Sequence, residues 1–260
     1  MTIPIFYEKK FKKKSIFILN KEMVNIDNLY VFCISLNERD DRRERINKNF
    51  DFFNIIFFEA IDTRKEKWKK YKNLIEGKSY QKLIVNTEKN TREYHHDLTS
   101  GAVGCFLSHL NIYQYIVNHN LDYSFILEDD TKPTIYNYKQ YLRHVFKYIP
   151  EDADVVLLHY ILPQVNKYNI INVNTALSKV QPNKFQFWCL DSYIITKKGA
   201  KKILDNFNKI TMQIDSFLTK LHREGKLNIY ITNKQYTTQS DNKTDIQTLR
   251  RVLYPSNFNF

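Results

Sequence analysis

The sequence predicts one α/β domain built on a mostly parallel central sheet flanked by helices, and three observations carry that expectation. Short, nearly continuous apolar runs at residues 29–36, 54–61, 123–127 and 155–158 are rich in β-branched and aromatic residues, as strands buried on both faces of a parallel sheet are. Segments with apolar residues at helical spacing alternate with them, and the first strand, helix and second strand fit within roughly thirty residues, the size of a βαβ unit. No internal repeat, linker or low-complexity segment divides the 260 residues.

Each element follows from its local pattern. After the strand at 29–36 the chain turns charged, and Ile46, Phe50 and Phe53 form the packed stripe of a helix that carries Arg42, Arg43 and Arg45 near its start. A second strand is expected at 54–61. Residues 63–97 are polar, basic and weakly periodic, which reads as a surface insertion with one short helix near 67–75. Thr99 can cap a helix over about 101–118, where Val103, Phe106, Leu110, Tyr113 and Val117 recur at helical spacing. A strand at 123–127, a helix over 138–148 stopped by Pro150, and a buried strand at 155–158 come next. Residues 164–183, rich in Asn and Lys, read as a long loop. Residues 187–196 read as a strand, 198–207 and 214–222 as helices, and 229–232 as a final strand. The expected division is a basic N-terminal extension over 1–28, the domain over 29–234 and a C-terminal tail over 235–260.

Composition narrows the partners. A chain that is 43% hydrophobic and 15% aromatic can fill a core, while a net charge of +12 favours nucleic acid, anionic lipid headgroups, nucleotide phosphates or an acidic glycan. No phosphate-binding Gly-rich loop, zinc spacing or cluster of aromatic and basic residues supports specific nucleic-acid binding. Cys33, Cys105 and Cys189 are odd in number, far apart and set among apolar neighbours, which points to a reducing compartment. With neither a signal peptide nor a run of ~18 apolar residues, a soluble or peripheral cytoplasmic protein is expected.

Glu128-Asp129-Asp130 ends the apolar run at 123–127, which places three carboxylates at the carboxyl end of a strand, where open α/β sheets bind ligands. Alternation sends Glu128 and Asp130 to one side and Asp129 to the other. An i, i+2 pair of hard oxygen donors suits Mg²⁺ or Mn²⁺ shared with a substrate diphosphate. The plainer reading is a solvated loop whose acids start a turn. Just upstream, Gly101, Gly104, Cys105 and Ser108 form a stripe of small residues on one helix face, and His109 stands beside it. In a chain with only 5 glycines this implies close approach of another backbone or of a ligand.

Three segments then carry a resemblance. Leu36-Asn-Glu-Arg-Asp-Asp-Arg-Arg-Glu-Arg-Ile with Phe58-Glu-Ala-Ile-Asp, Leu98-Thr-Ser-Gly-Ala-Val-Gly-Cys-Phe-Leu-Ser-His, and Leu121-Asp-Tyr-Ser-Phe-Ile-Leu-Glu-Asp-Asp together resemble glycosyltransferase family 25, the group of bacterial lipooligosaccharide and procollagen galactosyltransferases. The resemblance implies a single GT-A type, Rossmann-like domain that moves a hexose, galactose or glucose, with inversion, from a UDP-sugar to a glycan or hydroxylated protein. It casts Glu128, Asp129 and Asp130 as the Mn²⁺ (or Mg²⁺) motif, with Gln239 as a further metal ligand. Ser35, Leu36, Arg39, Arg42, Glu59, Ala60, Asp62, Ser108 and His109 become donor-binding candidates. Asp215 and Asp191 become the candidates for the base that takes the acceptor's proton.

The chain departs from the pattern at Ser35, Glu38 and Thr63, and a Gly-Thr-x-Ala-Tyr pattern stands as Cys189-Leu-Asp-Ser-Tyr193. These departures leave open the alternative of a catalytically inactive relative that binds an anionic partner, a membrane or glycan surface among them, through its basic residues.

Overall fold

The computed structural model describes residues 26–94, 97–162, 170–182, 185–240 and 251–252. Nearly all of the N-terminal extension, part of the 164–183 segment and most of the C-terminal tail fall outside these residues. After a short 3-10 helix (Ile26–Asn28), β1 (Tyr30–Ser35) leads through α1 (Asp40–Asn49) into β2 (Ile55–Glu59). A 3-10 helix (Lys67–Leu74), α2 (Gly77–Lys89) and β3 (Thr91–Arg92) precede the long α3 (Ser100–Asn118). The chain continues through β4 (Tyr123–Glu128), β5 (Thr131–Pro133), α4 (Tyr138–Lys147), β6 (Val155–Leu157), β7 (Ile170–Asn172), β8 (Leu177–Val180) and β9 (Ser192–Thr196). It then forms α5 (Lys197–Asn206), α6 (Ile214–Arg223), β10 (Ile229–Thr232), β11 (Thr237–Gln239) and β12 (Arg251–Val252).

Eight strands pair in the order β2-β1-β4-β9-β6-β10-β8-β7. The expected mostly parallel sheet is in fact mixed. The β2–β1, β1–β4 and β6–β10 pairings are parallel, whereas β4–β9, β9–β6, β10–β8 and β8–β7 are antiparallel. The reason for the difference is physical: apolar continuity reports burial on two faces, and a reversed strand inside a covered sheet is buried just as fully as a parallel one.

Side chains alternate between two cores, as the period of a strand requires. Phe32, Ile34, Phe58, Ile126, Leu157, Tyr193 and Ile195 pack with Val103, Phe106 and Leu110 of α3, Ile203 of α5 and Leu218 of α6. On the opposite face, Val31, Cys33, Phe125, Leu127, Val156 and Ile194 pack with Ile46 and Phe50 of α1 and Leu142 and Val145 of α4. The result is three layers.

Residues 63–97 hold more structure than their weak periodicity implies. Trp68, Tyr71, Ile75 and Leu83 join the core beneath α3, and the Glu76 side chain caps α2 by accepting the Ser79 N–H at 2.8 Å. Two more pieces read as irregular turn out to be strands: β7 and β8 lie within 164–183, and β11 in the tail pairs antiparallel with β5. All are three or four residues long, too short for alternation to register.

Thr99 caps α3 as expected, its side chain accepting the Ala102 N–H at 3.1 Å. The small-residue face of this helix meets the loop that leaves β2. A Cβ on Gly104 would stand 2.3 Å from the Ile61 carbonyl oxygen and 2.4 Å from Thr63 Oγ1. Ser108 fastens the same contact, accepting the Ile61 N–H at 2.8 Å while donating to the Gly104 carbonyl at 2.7 Å. Gly104→Ala should therefore lower stability by about 1–3 kcal/mol in urea unfolding, through overpacking that outweighs the ~1 kcal/mol gain in helix propensity. Gly77→Ala, with nothing within 4 Å of its Cβ, is the matched control and should cost nothing.

Candidate active site

The first three sheet neighbours, β2, β1 and β4, run parallel, and chain order reverses at β1, which places a switch-point crevice beyond their carboxyl ends. A cleft of about 610 Å³ opens there, lined by Ser35, Leu36, Ala60, Asp62 and Ser108 together with Glu128, Asp129 and Asp130. Arg42, Thr63, Arg64, Gly101 and Cys105 complete most of its wall. Glu59 faces a neighbouring depression shared with Leu36, Ala60, Tyr71 and Asn111.

The three acids have different fates. Asp129, 8% exposed, accepts from Arg42 Nη1 at 2.6 Å, and Arg42 is itself 4% exposed. Glu128 is approached by His109 Nε2 at 3.3 Å and Cys105 Sγ at 3.7 Å. Asp130 Oδ1 is buried and has no hydrogen-bond partner among the described residues. Burial, followed by the charges of Asp191 and Asp129, pushes Glu128 from 4.5 up to about 8. Burial, followed by Glu128, Asp191 and Asp129, pushes Asp130 from 3.8 up to about 8, against the pull of Arg42.

His109 is fully buried, and burial lowers its pKa to about 3, so the imidazole is neutral. Its Nδ1 lies 2.8 Å from the Tyr193 hydroxyl, which lies 2.9 Å from that of Tyr113. With Glu128 ionised, only one polarity satisfies the row: Tyr113 donates to Tyr193, Tyr193 to Nδ1, and Nε2–H to the carboxylate. His109 thus orients Glu128.

Asp191, 0% exposed, ties the acids to the segment before β9. Its carbonyl accepts the Glu128 N–H at 2.8 Å and the Thr131 hydroxyl at 2.7 Å, and its Oδ1 meets His159 Nδ1 at 2.7 Å. Burial lowers the His159 pKa, but the Asp191 hydrogen bond and the charges of Asp191 and Asp130 outweigh it and leave the net shift upward. Asp215, at the start of α6, is raised by burial to about 6 although the Ser216 N–H donates to its Oδ1 at 2.6 Å. Gln239 pairs with Thr131 across β11 and β5, one residue from Asp130, and Ser240 donates its N–H to the Asp130 carbonyl at 2.6 Å. Cys189 has φ +72°, a conformation that costs a non-glycine residue about 1–2 kcal/mol.

Of the candidates read from sequence, Arg39 stays apart, its Nε and Nη2 engaged with Asp41 at 3.0 and 3.1 Å. Asp62 is held by its own neighbours, accepting from the Arg64 N–H at 3.0 Å and from Arg64 Nε at 2.8 Å, and these bonds lower its pKa. Sequence reasoning noted Cys105 in the small-residue stripe and Thr63 as a departure from the family pattern without giving either a site role, and it did not place Arg64 or His159 at the cleft. Helical spacing links Cys105 to the small stripe, but no local pattern marks His159, whose partner is 32 residues away.

The oxygen donors of Glu128 and Asp130, one with an orphaned buried atom, fit a hard divalent cation. Cys105, His109 and Glu128 converge within 4.8 Å, as do His159, Cys189 and Asp191; hydrogen bonds already join Cys105 and His109 to Glu128, and His159 to Asp191.

The sequence profile of glycosyltransferase family 25 (LPS biosynthesis protein) matches residues 28–218. The chain belongs to glycosyltransferase family 25. The curated relatives of the family to which it is similar include procollagen galactosyltransferase 1-B of Xenopus laevis, 27% identical over 88% of this chain and 36% of its own length. A glycosyltransferase 25 family member of Drosophila melanogaster is 28% identical over 76% of this chain and 30% of its own. The chain thus spans about a third of the length of these family members. Among solved structures, A197 from STIV aligns over 80% of this chain and 83% of its own at 13% identity, with a TM-score of 0.36. No helix of the described residues is long and apolar enough to cross a membrane.

Two measurements test this geometry. The folded state keeps protons on Glu128 and Asp130 that the unfolded chain releases near 4.5 and 3.8, so metal-free stability should fall as pH rises from there to about 8. Thermal melts in chelator should show that slope, shallower in a Glu128→Gln/Asp130→Asn variant, with Mn²⁺ raising the wild-type Tm more at pH 8 than at pH 5. Separately, Arg42→Met should destabilise by about 3–5 kcal/mol in denaturant unfolding because Asp129 is left buried without its cation.

Proposed function

We propose that this chain is a GT-A type hexosyltransferase that moves galactose or glucose from a UDP-sugar, with inversion, to a hydroxyl of a glycan or hydroxylated protein. The observation that carries the reading is the presentation of Glu128 and Asp130, both desolvated and one with an oxygen unpartnered among the described residues, at the carboxyl end of β4 beside a cleft. Family membership and the printed names of the procollagen galactosyltransferases support the reaction class and the sugar.

In this reading Ser35, Leu36, Ala60 and Asp62, at the ends of β1 and β2, receive the nucleoside, and Glu59 faces the adjoining depression. Ser108 holds the Ile61 backbone in place for it. Glu128 and Asp130, with Gln239 nearby on β11, would hold Mn²⁺ or Mg²⁺. When bound, the ion offsets charge on the departing diphosphate. Arg42 serves by holding Asp129, so its charge is committed to the acid loop. Arg64, bonded to Asp62 and Glu38, also lines the cleft. The metal-binding acids sit in a chain of net charge +12, whose long-range field favours approach of an anionic donor.

The test is release of UDP from UDP-galactose and UDP-glucose, with a panel of hydroxylysine peptides and simple glycosides as acceptors, in Mn²⁺ and in chelator. Turnover should require the metal, and Asp130→Ala should lose about 10²–10³-fold. A chain that neither binds nor turns over any UDP-hexose in the presence of metal would remove this reading.

A further inference from the structure

An inverting transfer needs a group that takes the acceptor's proton, and the two carboxylates read from sequence for that task are poorly placed to do so. Asp191 is 0% exposed, and both its carboxylate oxygens are engaged: Oδ1 with His159 Nδ1 at 2.7 Å and Oδ2 with the Thr131 hydroxyl at 3.4 Å. Asp215 is drawn onto the first turn of its own helix by the Ser216 N–H.

His159 is better situated. The donor cleft lies on the β1 and β2 side of the acids, whereas β9 and β6 lie on the other side, in the order β4-β9-β6. Tyr193 of β9 is paired with both Ile126 of β4 and Leu157 of β6, so the residues just beyond, Glu128 and His159, emerge at the same edge of the sheet. Two strand spacings separate them, about 10 Å between backbones. The Leu158 and His159 N–H groups both donate to the Ser192 carbonyl, at 3.0 and 3.2 Å, which pins the backbone of the His. The ring keeps 13% of its surface exposed, and Nε2 takes no hydrogen bond from the described residues. A buried carboxylate at Nδ1 fixes the hydrogen of the neutral ring on that nitrogen and leaves the Nε2 lone pair free to accept a proton.

We propose that His159, positioned by Asp191, is the catalytic base of the transfer and marks the acceptor side of the site; the proposal rests on the hexosyltransferase reading. The acceptor O–H proton passes to Nε2 as the acceptor oxygen bonds to the anomeric carbon. The bond from that carbon to the diphosphate oxygen breaks, and its electron pair leaves on UDP.

The experiment compares UDP release from UDP-galactose and UDP-glucose in Mn²⁺, with calorimetric titration of UDP as the donor-site readout, in the full chain and four variants. His159→Gln should bind UDP within about twofold of wild type while turnover falls ~10²–10⁴-fold. Added imidazole should restore part of the turnover of His159→Gly, which a purely structural role would not allow and which covers the case of a poorly folded Gln variant. Asp191→Asn should lower turnover with little change in UDP affinity, because the wrong tautomer is then favoured. If His159→Gln keeps more than about a third of wild-type turnover while Asp215→Asn loses it, Asp215 is the base and this proposal alone fails. A wild-type chain that neither binds UDP nor turns over its sugars overturns the transferase reading, and this proposal with it.

Discussion

The arrangement of the site depends on one buried ion pair. Arg42 of α1 reaches across the sheet end to Asp129, 87 positions later, at 2.6 Å, with both residues almost wholly removed from water. Such a pair adds little net stability, because its Coulomb attraction is spent on the desolvation of two ions. Its consequence is geometric. With the middle acid of the triplet committed to Arg42, Glu128 and Asp130 are desolvated by burial and repelled by the carboxylates around them.

Around that pair, the mixed character of the sheet has a direct chemical use. Parallel neighbours bring carboxyl ends to an edge, and β1, β2 and β4 do so beside the cleft. The reversed β9 brings its amino end instead, so the segment of Cys189, Leu190 and Asp191 enters the same edge from the opposite direction. Asp191 can then bond the Glu128 amide, the Thr131 hydroxyl and His159 at once. A fully parallel sheet would put the far end of a strand there and leave the acid loop without this brace.

Several local costs gather at this edge. Glu128, Asp130 and Asp215 are all shifted upward by burial, and Cys189 keeps a left-handed backbone that a side chain disfavours. The surroundings over-determine these features: the Tyr113, Tyr193 and His109 row on one flank, and the close seat of Gly104 on the β2 loop on another. Carboxylates kept desolvated and strain kept in the backbone are costs that functional sites characteristically carry.

The sequence by itself determined a good deal. Strands β1, β2, β4, β6 and β10, the helices α1, α3, α4, α5 and α6, the small-residue face at Gly104 and the acids at the end of β4 all follow from local patterns, and so does the family. Burial and helical spacing are written in neighbouring residues, which is why those elements were legible. Strand direction was not, because β9 reads as buried whichever way it runs, and β8 lies in a segment that reads as a loop. Nor were α2, whose polar sequence packs through Leu83, or the three-residue β5, β7 and β11. Pairings between distant residues were decided only by tertiary structure: Arg42 with Asp129, Ser108 with Ile61, His109 with Tyr193, and above all Asp191 with His159. Each is set by which strand ends share an edge, and strand order depends on long-range packing that no single segment encodes.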